Sequence, residues 1–161
     1  MKSIVIIKAD KMAKPGYGPI EPPSGIRMSD AAKRALLGRP SMTLLGGPNG
    51  SGKTRLMGWM AESLSAIKKR VLYVDLVRLL RYYRPSAHNA SSGEYAYRSI
   101  MRKLARAEGG TVVLIDNTGM LGKQKFRSLC KKLDELCDQH MLSKAVVTQT
   151  GSRLRQTGGK K

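Results

Sequence analysis

Residues 47–54 constrain the fold of this chain more than any other segment. They read Gly-Pro-Asn-Gly-Ser-Gly-Lys-Thr and match G-x-x-x-x-G-K-[ST], the pattern of a phosphate-binding loop, or P-loop. The apolar run at 41–45 predicts a buried strand before the motif, and the spacing of apolar residues from 53 to about 69 predicts a helix after it. The motif needs this strand–loop–helix context, so we expect a nucleotide-binding α/β fold. The alternative is an ordinary glycine-rich turn.

Strands and helices alternate along the rest of the sequence. Further buried strands are predicted at 71–75, 111–116 and 144–148, with helices at 76–84, 94–108 and 123–140. This alternation predicts a three-layer α/β fold of the P-loop NTPase type, with a mainly parallel central sheet and helices on both faces. An apolar run at 3–7 predicts one more strand, which could supply an edge of that sheet.

Three regions differ in composition. Residues 1–40 hold five of the seven prolines, and they predict an irregular arm with the short strand and a short helix at 29–37. Residues 41–150 carry the regular pattern and form the expected P-loop NTPase core. Residues 151–161 form a polar tail with four basic residues and no acid.

The motif assigns a role to each of its polar groups. Successive backbone N–H groups and the start of the following helix would point at the phosphates of ATP. Lys53 would reach the β- and γ-phosphates, and the Thr54 hydroxyl would hold Mg²⁺. The residues expected to bind the nucleotide are Gly47, Pro48, Asn49, Gly50, Ser51, Gly52, Lys53, Thr54 and Arg55. Gly50 and Gly52 are expected in backbone conformations that strain other residues.

Asp116 ends the most continuous apolar run of the chain. A carboxylate at the carboxyl end of a strand beside the P-loop would position Mg²⁺ together with Thr54. The plainer interpretation is a residue that caps or turns the chain after a buried strand. The metal-positioning role is favoured because the P-loop is present.

Asn117 stands where many hydrolysing P-loop ATPases have a glutamate that activates water. An amide cannot act as a general base at neutral pH, although it can orient water by hydrogen bonds. We therefore expect slow hydrolysis, or a base from elsewhere. Asp75 is one candidate and Glu94 a weaker one, although Asp75 could equally do no more than end a strand.

The polar run at 148–150 comes after the last predicted strand. A residue here, with Thr150 the favoured one, could contact the γ-phosphate or the attacking water, or it could be an ordinary polar strand end. Arg153 and Arg155 could reach a neighbouring subunit's nucleotide as an arginine finger. A basic tail that touches the phosphate backbone of a nucleic acid is the preferred interpretation.

The charge of the chain is strongly positive. Thirty Lys and Arg against 11 Asp and Glu give +19, which favours a polyanionic partner such as a nucleic acid over a basic assembly subunit or a charge that only keeps the chain in solution. Cys130 and Cys137 lie seven residues apart in one predicted helix, too far apart for a disulfide, and predict buried free thiols in a reducing, cytoplasmic compartment. No run of 18 apolar residues predicts a membrane span.

Three segments resemble helicase-loader ATPases of the DnaC/IstB type, within the AAA+ and RecA-like class. They are residues 71–80, 112–119 and 145–150, and the resemblance covers about residues 40–150. It implies an ATP- and Mg²⁺-binding protein that assembles as a homo-oligomer on single- or double-stranded DNA and contacts a helicase or transposase. The implied setting is DNA replication, transposition or a related process of a virus or mobile element.

The sequence also departs from that family. Asn117 replaces its usual acid, and Thr150 aligns near its sensor asparagine. Residues 151–161 have no room for its arginine-finger segment, so the resemblance implies a reduced core.

The sequence leaves three functions open. The first is a nucleic-acid-associated ATPase that uses ATP binding and slow hydrolysis as a switch. The second is a small-molecule or nucleotide kinase, which would need arginines around an acceptor pocket, and the predicted loop at 85–93 has none. The third is a catalytically silent nucleotide-binding subunit of a larger assembly.

Overall fold

The chain folds around a parallel sheet. The computed structural model describes residues 3–6, 41–48, 52–66, 68–85 and 91–150. Its strands are β1 (Ser3–Ile6), β2 (Met42–Gly47), β3 (Val71–Asp75), β4 (Thr111–Asp116) and β5 (Leu142–Thr150). Its helices are α1 (Lys53–Ala66), α2 (Leu76–Leu79), α3 (Ser92–Arg106) and α4 (Gly122–Asp138), with 3-10 turns at Leu80–Tyr82 and Thr118–Leu121.

The five strands pair in the order β1-β2-β5-β4-β3, and every pairing is parallel. The α/β class and the parallel sheet predicted from the sequence are therefore confirmed. The run predicted as a strand at 3–7 forms β1 at the sheet edge. Because β5 lies between β2 and β4, it separates the strand that precedes the glycine-rich segment from the strand that ends in Asp116.

Helices pack on both faces of the sheet, because side chains alternate between the faces along each strand. The face toward α1 includes Leu45, Leu114 and Val146, packed with Leu56, Met57, Trp59 and Met60. The opposite face includes Val113, Ile115 and Val147, packed against α3 and α4. Complete burial of one such aliphatic side chain stabilises the fold by roughly 1.5–3 kcal/mol, so the two clusters fix the sheet between its helices.

Most helix ends differ by a few residues from their predicted positions, and the helix predicted at 76–84 ends at Leu79 before a 3-10 turn. Two of the shifts have a clear local cause. α1 ends at Ala66, and just beyond it Lys68 has a φ of 60° and Lys69 N–H donates to the Leu64 carbonyl at 2.9 Å. This closing turn ends the helix before 69. α3 begins at Ser92, earlier than predicted, because Ser91 Oγ accepts a hydrogen bond from the Glu94 N–H.

Both cysteines are buried and free, as predicted. No helix in the described ranges is long and apolar enough to cross a membrane. The short helix predicted at 29–37, most of the N-terminal arm and the whole basic tail, with Arg153 and Arg155, lie outside the described residues.

Candidate functional site

The carboxyl ends of β4 and β5 meet the start of α1 around a pocket of about 760 Å³. The helix that follows β2, α1, packs on one face of the sheet, and the helix that precedes the neighbouring strand β5, α4, packs on the other. The direction in which the chain winds therefore changes between β2 and β5. A crevice at such a place is where open α/β sheets bind ligands. The pocket is lined by Gly52, Lys53, Thr54, Arg55, Val77, Asp116, Asn117, Thr118, Gly119, Met120, Thr148 and Gln149.

Lys53 is the first residue of α1 and folds back over the turn that precedes it. Its Nζ donates to the carbonyl oxygens of Gly47 at 2.7 Å and Pro48 at 2.8 Å. Burial lowers the pKa of this ammonium group, and the negative charge of Asp116 partly opposes that shift. Gly52 has a φ of 94°, a conformation that other residues rarely adopt, as the sequence predicted for this position.

Asp116 is 2% exposed, and its two carboxylate oxygens have different surroundings. Oδ1 accepts from the Asn117 N–H at 2.8 Å and from the Thr148 hydroxyl at 2.9 Å. Oδ2 is buried and has no hydrogen-bond partner among the described residues, although the Tyr73 hydroxyl interacts with the same carboxylate. A buried charged oxygen is costly unless another group compensates it. Asp116 Oδ2 is therefore a candidate to contact a ligand, as is Gln149 Oε1, a second buried oxygen without a described hydrogen-bond partner on a residue of the pocket lining.

The pKa of Tyr73 is affected by the negative potential around Asp116. Its pKa is raised to about 12, first by burial and then by the charges of Asp116 and Asp75.

Asn117 is held from two sides in a left-handed backbone conformation, with φ 59° and ψ 49°. Its N–H also approaches the Thr148 hydroxyl at 3.2 Å, and its Nδ2 donates to Asp75 Oδ1 at 2.8 Å. A carboxylate can only accept, so the side-chain amide must turn Nδ2 toward Asp75. Its Oδ1 then points away from Asp75, on a residue that lines the pocket.

Asp75 is engaged as a helix cap. The oxygen that binds Asn117 also accepts from the Val77 N–H at 3.0 Å, at the start of α2. Arg78 Nε lies 3.8 Å from the other oxygen. Of the two roles considered for Asp75, ending a strand or acting as a base, these contacts match the first.

Thr148 has contacts at the site that the sequence did not predict, since Thr150 is the residue that the sequence favours in the run 148–150. Its hydroxyl bridges Asp116 and Asn117, and its carbonyl accepts from the Thr118 hydroxyl at 2.7 Å. Thr150, the favoured residue of the same run, lies opposite Gly47 in the sheet register, and its side chain is outside the described residues. Alternation with the buried Val146 puts Thr148 on the face toward α1, but only the strand order reveals what it meets there.

Of the other predicted residues, Thr54 and Arg55 line the pocket with Lys53, Asp116 and Asn117. Asn49, Gly50 and Ser51 lie outside the described residues. Glu94, the weaker candidate for a base, does not line the pocket and forms ion pairs with Arg98 and Lys125.

Carboxylate, imidazole and thiol groups do not assemble into a metal cage in the described part of the chain, where no three such side chains could hold an ion together. A cation in this pocket would depend on Asp116, Thr54 and oxygens brought by a ligand.

Comparison with known proteins gives no family assignment: no family model matches the chain, and no curated protein matches it in sequence.

Proposed function

We propose that this chain binds ATP and Mg²⁺ through a P-loop at residues 47–54, and that it acts as a slow, nucleic-acid-associated switch ATPase of the helicase-loader kind. One observation carries the nucleotide part of this proposal. Asp116, whose buried Oδ2 has no hydrogen-bond partner among the described residues, lines the same pocket as Lys53 and Thr54 at the start of α1.

The phosphate half of the site follows from the geometry of α1. The first N–H groups of a helix have no partner within it and carry a partial positive charge, which favours an anion. Lys53 adds a full charge at the same place, and its bonds to the Gly47 and Pro48 carbonyls can be exchanged for bonds to phosphate oxygens. Burial lowers the pKa of Lys53. The negative charge of a nearby phosphate would raise this pKa and so favour the protonated form.

The metal half of the site follows from oxygen chemistry. Mg²⁺ prefers one or two protein oxygens together with waters and substrate phosphates, and the Thr54 hydroxyl and Asp116 fit that preference. When bound, the ion would neutralise charge on the phosphates. The Thr148 hydroxyl and the Asn117 N–H hold Asp116 Oδ1, so they orient the carboxylate, while Oδ2 keeps its capacity to accept a ligand contact.

Slow hydrolysis is proposed because no described residue of the pocket is placed as a base. Asn117 cannot take a proton, and its Nδ2 is bound to Asp75. Its Oδ1 remains able to accept a hydrogen bond from water. The same contacts support the second candidate, a nucleotide-binding subunit that does not hydrolyse ATP.

The nucleic-acid part of the proposal rests on charge. The chain carries +19, and exposed basic side chains occur on α3, on α4 and after β3. Neutralising phosphates with several such groups makes binding fall steeply with salt. A helicase or transposase partner, and assembly of several copies, are proposed from the resemblance to helicase loaders.

Isothermal titration with a slowly hydrolysed ATP analogue and Mg²⁺ tests the nucleotide part. Lys53→Ala should weaken binding by at least about a hundredfold, since charge-assisted bonds to phosphate are lost. The matched control is Lys69→Ala, which removes an equal charge from an exposed residue outside the pocket. Equal binding by both variants would contradict the proposal. Multiple-turnover ATP hydrolysis, with and without DNA, then separates a slow ATPase from a silent subunit.

A further inference from the structure

The segment after β3 exposes an aromatic ring. Residues 76–85 comprise α2, the 3-10 turn Leu80–Tyr82 and three residues outside helix and strand. Leu76 is fully buried, and Leu79 and Leu80 pack against the core cluster. Tyr82, by contrast, is 79% exposed. A large ring left in water on a segment anchored by its leucines is available for contact with a partner.

Arginines flank this ring in the sequence. The exposed residues Arg78, Arg81 and Arg84 follow one another at intervals of three, and Tyr82 comes four residues after Arg78. Residues three and four apart are neighbours on a helical surface. Residues 76–85 contain no acid. The adjacent Asp75 bonds to Asn117 through Oδ1, and its Oδ2 lies 3.8 Å from Arg78 Nε, so it partly offsets the charge of Arg78 and leaves those of Arg81 and Arg84.

Backbone and ring contacts hold this segment in place. The Tyr83 ring packs on the Tyr95 ring of α3, with centroids 5.4 Å apart. Arg84 Nη1 donates to the carbonyls of Arg81 and Tyr83 at 3.2 Å. A surface that is already ordered loses less conformational entropy when it binds a partner.

We propose that the Tyr82 surface, defined as Arg78, Arg81, Tyr82 and Arg84, binds single-stranded nucleic acid. The ring of Tyr82 stacks on an unpaired base, and the arginines contact neighbouring phosphates. A cationic surface with an exposed aromatic ring is the usual platform for single strands. The inference rests on the nucleic-acid part of the proposed function and names the surface responsible for it.

A single strand fits this surface better than the alternatives. Bases of a duplex are stacked and paired, so their faces are not available to Tyr82. An anionic membrane would favour a helix with a continuous outward apolar face, whereas Leu76, Leu79 and Leu80 turn into the core. The exposed large hydrophobic side chains of residues 76–85 are Tyr82 and the 51% exposed Val77.

Fluorescence anisotropy of the full chain with a labelled oligodeoxythymidylate of about twenty nucleotides tests the proposal. Tyr82→Ala should weaken binding by roughly fivefold to a hundredfold, whereas Tyr82→Phe should retain it because stacking needs only the ring. Arg81→Ser should weaken binding and reduce its dependence on salt more than Arg127→Ser, which removes an equal charge from α4. The matched control for the ring is Met141→Ala, at a 51% exposed residue in the turn before β5.

The possible outcomes are distinct. If the unaltered chain binds the oligonucleotide and Tyr82→Ala binds as well as Met141→Ala, the Tyr82 surface is wrong and the proposed function stands. If the unaltered chain does not bind any single or double strand even at low salt, the nucleic-acid part of the function fails as well. A Tyr82→Ala defect that is as large on duplex DNA, or that is seen instead on phosphatidylserine vesicles, overturns the single-strand assignment.

Discussion

Asp75 and Asp116 lie side by side at the ends of β3 and β4, opposite each other in the sheet register, yet they have different tasks. Asp75 uses one oxygen to cap α2 and to hold the amide of Asn117. Asp116 lines a pocket, shares one oxygen with Thr148 and Asn117, and keeps the other without a hydrogen-bond partner among the described residues.

The difference between the two aspartates comes from the path of the chain beyond each strand. β3 runs directly into a helix, whose free N–H groups take up the carboxylate of Asp75. β4 leads into Asn117 in a left-handed conformation, which carries the chain away from Asp116. A strand-terminal acid is thus a cap or a candidate ligand according to the backbone after it.

The largest expected effect concerns Asp116. Asp116→Asn should weaken Mg²⁺-dependent binding of the ATP analogue by about tenfold to a hundredfold, as for other groups that position a metal. Calorimetry with Mg²⁺ and with EDTA measures this difference. Asp75→Asn is the control, and we expect less than about a threefold change because Asp75 does not line the pocket. Equal losses in both variants would remove the contrast between the two aspartates.

The next effect concerns Asp75 and stability. Asp75→Ala should lower the free energy of unfolding by about 1–2 kcal/mol, because it removes a helix cap and leaves the Asn117 amide without its acceptor. Urea unfolding followed by circular dichroism measures it. Asp116→Asn, which removes a buried charge but keeps an acceptor oxygen, should change stability by less than about 1 kcal/mol. A larger loss in Asp116→Asn than in Asp75→Ala would reverse the assignment.

The smallest expected effect is a change in the pKa of Tyr73, which depends on the charges of both aspartates. The pKa of Tyr73 is raised from 10.0 to about 12, and Asp116 contributes more than Asp75. The raised pKa therefore contributes to the stability of the fold, and this contribution is complete below pH 10. It is lost as the pH rises from 10 to about 12. Asp116→Asn should lower the pKa of Tyr73 more than Asp75→Asn does.

Ultraviolet titration of tyrosinate measures that pKa. The same variants made with Tyr73→Phe serve as subtraction controls, because the chain has six tyrosines. A larger shift in Asp75→Asn would show that the potential around Tyr73 is set by the capping aspartate.

Local patterns predicted most of the fold and half of the candidate site. The apolar runs of the strands and the apolar spacing of the helices involve residues that are close in the sequence, so they can be recognised from the sequence alone. Lys53, Thr54 and Asp116 belong to patterns that each carry their own signal, and they line one pocket.

The remaining contacts depend on the order of the strands. Asp75 and Asn117 are 42 residues apart, and they meet because β3 and β4 are neighbours in register. Thr148 reaches Asp116 because β5 is adjacent to β4. Apolar periodicity reports which residues are buried and does not report which strands are adjacent.

The position of β5 also has a consequence for how the chain is made. β5 completes the hydrogen bonding of β2 and β4, with Met42 opposite Ala145 in the register. During synthesis roughly 5–20 s pass between the completion of β2 and the completion of β5 at ordinary elongation rates. β2 presents an unpaired edge through that interval and β4 only through its last part, because β4 is made shortly before β5, and such edges recruit other chains. Aggregation of the nascent chain is thus favoured until residues 142–150 leave the ribosome.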